Sequence, residues 1–217
     1  MMEGGSAGGS RQASSRPGSA SPLGERSRRL VLASGSPQRR AILGDLGLDF
    51  EVRPSDVAEE DEGAPRVVAS ENALRKALAI SDAAGGADEL VIGCDTLVAT
   101  ELEIWGKPPN EAAARETLRR LSGRTHEVIS GLAVVRKGDV RAASEITQVT
   151  FRALDDRTID WYVSTGEWEG RAGGYAIQGR GSVLVKRIEG DYLNVVGLPV
   201  AALLELCPKL IDDFATA

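Results

Sequence analysis

The chain has 217 residues and a formal charge of −6, from 26 basic and 32 acidic side chains. That balance speaks against a protein that coats nucleic acid, which needs surplus Lys and Arg to displace counterions. Cys94 and Cys207 are too few for a disulfide framework, His126 is the sole histidine, and no apolar run approaches the roughly 18 residues of a membrane-spanning helix.

Residues 1–29 are rich in Gly, Ser and Arg and carry a charge of +3, which leaves −9 for residues 30–217. They hold no apolar stretch of the kind a secretory signal needs, so we read them as a disordered tail or leftover leader before a single domain at 30–217. An organellar transit segment fits less well, because Glu3 and Glu25 interrupt it. A cytoplasmic protein is the expectation.

From Leu30 onward, strand and helix signals alternate. Leu30–Ala33 reads as a short buried strand. Ser36 is a good N-cap and Pro37 suits the first helical position, so a helix is predicted from there, with Ile42, Leu43 and Leu46 inward and Gly47 as terminator. Phe50–Arg53 reads as a strand and 56–65 as an acidic loop. A helix is predicted over about 67–84, ended by Gly85-Gly86. Leu90–Cys94 is predicted as a strand with Asp95 and Thr96 at its end, and Leu97–Ile104 as more extended chain. Asn110 should cap a helix to about Leu121. Glu127–Val135 and Val140–Phe151 read as a hairpin around Lys137-Gly138-Asp139. Asp155 or Asp156 should open a helix to about Ser164. A glycine-punctuated segment covers 172–181, a strand is predicted over 182–188, and Leu198–Leu206 is predicted as the last helix. The predicted class is α/β (α+β), a central mixed sheet flanked by helices.

Four constellations could carry chemistry. Ser34-Gly35-Ser36-Pro37 leads into a helix whose free N–H groups, two hydroxyls and Arg39 would make a phosphate cradle; a plain capped helix with surface arginines fits equally well. Asp95 follows an apolar strand, where a carboxylate is costly unless it is paired, binds a cation or takes a proton from water; a capping Asp is the bland alternative. Lys107 sits in a loop stiffened by Pro108 and Pro109, and reads otherwise as a solvated lysine. Around Gly173, Gly174 and Gly179, the backbone could approach a ligand and Gln178 could read a base edge, or the glycines could serve a bulge or hairpin. Lys76 and Arg75 would ordinarily lie on a solvated helix face, His126 would order a turn, and Cys94 would be a small core residue.

In order along the chain, these pieces resemble the Maf family of nucleoside triphosphate pyrophosphatases. The family's S-x-S-P-R-R is matched by Ser34–Arg40, a short acidic element by Val57-Ala58-Glu59, and a lysine-bearing helix by Arg75-Lys76-Ala77. G-[AS]-D-T is matched by Gly93–Thr96, G-K-P by Gly106–Pro108, L-S-G-x-x-H-x-V by Leu121–Val128, A-G-x-Y-x-I-Q-G by Ala172–Gly179 and V-G-L-P by Val196–Pro199. The sequence departs at Gln38, where the family carries its first arginine at a position associated with substrate choice, and at Ala58, where an Asp is usual.

The resemblance implies cleavage of a nucleoside triphosphate between its α and β phosphates. It implies a two-lobed fold with a cleft, similar to that of the inosine triphosphatases. The implied catalytic residues are Asp95, Lys107, Lys76 and Glu59. The implied substrate-binding residues are Ser34, Ser36, Gln38, Arg39, Thr96 and Gln178. Asp95 and Glu59 would hold Mg²⁺ or Mn²⁺. Thr96 and Gln178 resemble the subgroup acting on dTTP and UTP rather than the one acting on 7-methyl-GTP. A homodimer is implied; no nucleic acid or membrane partner is expected. The alternative is a nucleotide-sensing regulator of septum formation without turnover.

Overall fold

The computed structural model describes residue 1 and residues 28–83, 88–101 and 103–216. Most of the expected tail and Gly85-Gly86 lie outside them. Arg28 and Arg29 do not: Arg28 donates to Asp213 at 2.8 Å, and Arg29 opens the first strand.

One mixed seven-stranded sheet organises the domain. Strands β1 (Arg29–Leu32), β2 (Glu51–Val52) and β3 (Glu89–Thr100) run parallel, in the order β2-β1-β3. On its other side β3 pairs antiparallel with β5 (Thr125–Arg136), which continues to β6 (Asp139–Phe151) and β7 (Val185–Glu189). The short β4 (Glu103–Trp105) folds back on the end of β3. The hairpin between β5 and β6 turns on Lys137 and Gly138, at φ 49° and 81°. Two consecutive positive φ values in a two-residue loop match the twist of the flanking strands.

Helix α1 (Pro37–Asp45) starts on the Ser36 cap, α3 (Glu111–Leu121) on Asn110 and α4 (Asp156–Val163) on Asp155, each cap side chain accepting a backbone N–H of the first turn. Helix α2 (Pro65–Ala83) lies across β3 and β5 and begins two residues earlier than its apolar pattern predicts. A Cβ on Gly93 would collide with the Ala73 carbonyl, and one on Gly131 with the Ala69 carbonyl, so helix and sheet meet backbone to backbone.

One apolar cluster joins β1, α1 and the C-terminal helices α6 (Val200–Leu206) and α7 (Leu210–Phe214) to the sheet. A second joins α3 and α4 to the other end of β5 and β6 around Tyr162, Phe151 and Tyr175.

The predicted strand over 182–188 is displaced. Gly179–Leu184 form a 3₁₀ turn and β7 begins at Val185. The glycine segment is likewise neither bulge nor hairpin: Ala172–Gly174 make a 3₁₀ turn with Gly173 and Gly174 at φ 67°. Two short helices went unread, α5 (Tyr192–Val196) and α7, each too short for a periodic pattern. No helix among the described residues is long and apolar enough to cross a membrane.

Candidate active site

Asp95 is not at the end of its strand, as the sequence suggested, but in the middle of the 12-residue β3. The strand-end environment comes from a neighbour. β1 stays in register with β3 only to Leu32 opposite Ile92, and Ala33 makes one last backbone bond to Ile92. The chain then turns away into α1, while β4 pairs with β3 only from Val98. Among the described residues, the edge of β3 between Cys94 and Leu97 is therefore left without a strand partner on that side. Open α/β sheets place ligands at such departures.

A cavity of about 740 Å³ fills this gap, within the ordinary size range of small-molecule sites. Ser34, Ser36, Gln38, Arg39, Glu59, Lys76, Asp95, Thr96, Lys107 and Gln178 all line it.

On the α2 side of the sheet, Asp95 is 4% exposed. The Lys76 ammonium donates to Asp95 Oδ1 at 2.7 Å and to Glu59 Oε1 at 2.6 Å. Mid-helix position suggested a solvated lysine, yet Lys76 is 7% exposed, because its turn of α2 lies directly over Gly93 and Asp95. One turn earlier Asn72, 1% exposed, donates to Asp95 Oδ2 at 3.0 Å and to the Glu60 carbonyl at 2.9 Å. Its Oδ1 accepts the Glu60 N–H at 2.9 Å. This one amide orients the Asp95 carboxylate and pins the loop that carries Glu59. Asn72 was missed by sequence reasoning; its only signal was the four-residue spacing to Lys76.

On the other side of β3, Thr96 shares a 2.9 Å hydroxyl contact with Ser130, its register partner on β5. Arg39 is 8% exposed and is held by three bonds, to the Gly197 carbonyl, Ser34 and Thr96. Ser36 caps α1 and donates to Gln38 Oε1 at 3.2 Å. Arg40 is exposed and does not line the cavity, so the displaced arginine pair does not act together.

Lys107 and Gln178 are exposed at the cavity rim, Lys107 lying 3.8 Å from Glu59. Arg171, which the sequence reading passed over, lines the same cavity.

His126 does more than order a turn. At 1% exposure it stands inside β5, 2.8 Å from the Tyr175 hydroxyl and edge-on to Phe151. Burial without a charged partner pushes its pKa down to about 4, so it is a neutral prop beneath the glycine segment. Cys94 is fully buried, as the sequence suggested, and burial raises its thiol pKa.

The arrangement suits attack of water on a phosphorus. Asp95 presents a buried, oriented carboxylate with a lone pair left on each oxygen. Glu59 and Asp95 fit a divalent cation in the manner Mg²⁺ favours, one or two carboxylates completed by phosphate oxygens and water. Among the described residues there is no group of three or more His, Cys, Asp or Glu able to enclose a metal unaided. Four cationic side chains line the cavity, Arg39, Lys76, Lys107 and Arg171, against four carboxylates, Glu59, Glu60, Asp61 and Asp95. Such a neutral lining would need further positive charge to receive a polyphosphate.

Residues 29–210 match the model of the Maf-like protein family. A dTTP/UTP pyrophosphatase of Bacillus cereus is 44% identical over 184 residues, covering 83% of this chain and 89% of that protein. A dTTP/UTP pyrophosphatase of Pyrococcus furiosus is 42% identical over 179 residues, 82% of this chain and 94% of that protein. Among solved structures, a nucleoside-triphosphatase, a dITP/XTP pyrophosphatase of Mycobacterium abscessus, aligns with TM-score 0.40 and 17% identity over 58% of this chain and 75% of that one.

Proposed function

The chain belongs to the Maf family, and from that premise we propose that it is a nucleoside triphosphate pyrophosphatase acting on dTTP and UTP in a house-cleaning role. The observation that carries this reading is the Asp95 carboxylate, oriented by Lys76 and Asn72 at the wall of a cavity of nucleotide size.

In the proposed reaction a water oxygen attacks the α phosphorus and passes its proton to Asp95. The bond from the α phosphorus to the bridging oxygen breaks, and that oxygen leaves with pyrophosphate. Lys76 orients the Asp95 carboxylate and holds Glu59 beside it. Ser34, Ser36, Arg39 and the start of α1 favour phosphate oxygens through N–H and hydroxyl donors. Mg²⁺ or Mn²⁺ held by Asp95 and Glu59 would neutralise phosphate charge that the balanced lining leaves over.

For the base, Thr96 and Gln178 support a pyrimidine. A uracil or thymine edge offers carbonyl acceptors and one N–H donor, and an amide serves both kinds. An unsatisfied buried polar edge costs about 1–3 kcal/mol, or roughly 10- to 100-fold in discrimination. Gln38 is bonded to Ser36 and is uncharged, which supports a looser preference that admits CTP or a modified pyrimidine. A homodimer, a cytoplasmic location and a catalytic unit that needs none of residues 1–27 belong to the same proposal.

The test is pyrophosphate release from dTTP, UTP, CTP, GTP and 7-methyl-GTP with Mg²⁺ and with Mn²⁺. dTTP and UTP should lead in kcat/KM. A lead for GTP or 7-methyl-GTP would refute the assignment of Thr96 and Gln178.

A further inference from the structure

Of the four cations lining the cavity, two are committed within the protein. Arg39 is held by three bonds and Lys76 by two carboxylates. Among the described residues, Lys107 has only the 3.8 Å approach of Glu59. Arg171 is half-buried, and its side chain makes no ion pair or hydrogen bond among the described residues. Burial lowers its pKa, as it does for a guanidinium taken from water, and the more distant Glu167 carboxylate offsets this only in part. Such a group costs stability unless an anion completes it.

The backbone places this arginine beside Lys107. The Gly173 N–H donates to the Gly106 carbonyl at 3.1 Å, and the Gly174 N–H to the Arg171 carbonyl at 3.0 Å. A Cβ on Gly174 would come within 2.9 Å of Pro108, and one on Gly173 within 3.0 Å of Val98. The turn that presents Arg171 is thus strapped to the loop that presents Lys107. The two least committed cations come from adjoining loops of one cavity.

We infer that Arg171, with Lys107, binds the β and γ phosphates of the substrate, the part that departs as pyrophosphate. This rests on the pyrophosphatase reading above. If Asp95 takes the proton of the attacking water, the α phosphate lies against β3. The diphosphate beyond it carries most of the charge and needs cations not already neutralised. A guanidinium fork can hold two oxygens at once, and an ammonium cannot.

The test is calorimetric titration of the full chain with inorganic pyrophosphate in Mg²⁺, and separately with dTMP. Arg171→Met should weaken pyrophosphate binding by about tenfold or more, the usual scale for a lost charge-assisted bond, and leave dTMP within about twofold. Arg171→Lys should recover part of the loss, since charge returns without the fork. On the unaltered protein, pyrophosphate but not dTMP should shield Arg171 from a dicarbonyl reagent, read by mass spectrometry, which keeps the test decisive if a variant folds badly. Unchanged pyrophosphate affinity in Arg171→Met, a loss confined to dTMP, or no shielding would overturn the inference. If instead the unaltered chain releases no pyrophosphate from any triphosphate, the reaction itself is misassigned; turnover with an indifferent Arg171 removes only this residue.

Discussion

Replacing Lys76 with methionine isolates the charge at the centre of the site. The aliphatic stem is kept and the ammonium is lost. That ammonium now lies 2.7 Å from Asp95 and 2.6 Å from Glu59, with side-chain exposures of 8% for Lys76, 6% for Asp95 and 46% for Glu59. Glu59 can turn to water, but Asp95 cannot, and it would keep only the Asn72 amide. Stranding one member of a buried pair costs about 3–5 kcal/mol. For a chain of this size each kcal/mol moves the melting temperature by about 2–4 °C, so a fall of roughly 6–20 °C is expected by calorimetry. Adding Asp95→Asn removes the stranded charge and should restore most of the loss. A Lys76→Met melting point within about 2 °C of the parent, or a double variant less stable than Lys76→Met alone, would refute this account of the pair.

Asp95→Asn alone should lower kcat by at least about 10², the lower end of a general base's contribution, while calorimetry still detects triphosphate binding. His126 sets an acid limit on stability. Its pKa falls from 6.5 in the unfolded chain to about 4 in the fold, so the unfolded state takes up a proton first as pH drops. Its contribution is complete above about pH 6.5 and is lost between there and about pH 4, on the order of 3 kcal/mol. Urea midpoints across that window should fall less steeply in His126→Gln than in the parent.

What was legible in the sequence was mostly local. Ser36, Asn110 and Asp155 announce helix starts because a capping side chain answers its own first turn. The β5–β6 hairpin shows because Lys137-Gly138 is a turn signal between two strand-forming runs. The motif order pointed to the cavity, and every candidate site residue lines it. What escaped depends on contacts distant in sequence. Lys76 reads as solvated until α2 is laid on β3. Asn72 has no pattern of its own, since its partners lie 12 and 23 residues away. Asp95 could be assigned to a strand, but not to its middle, because the cavity beside it is opened by where β1 ends.

Gly93 and Gly131 act as a ruler. With no side chain between α2 and the sheet at these points, the reach from Lys76 to Asp95 is fixed by main-chain thickness rather than by a packing of variable residues. Substitutions elsewhere on the outer face of α2 can accumulate without retuning that distance. The same design closes a common route to greater stability. Exchanging glycine for alanine often helps by restricting the unfolded chain, but at these two positions the added methyl would lift the helix and part the charges beneath it.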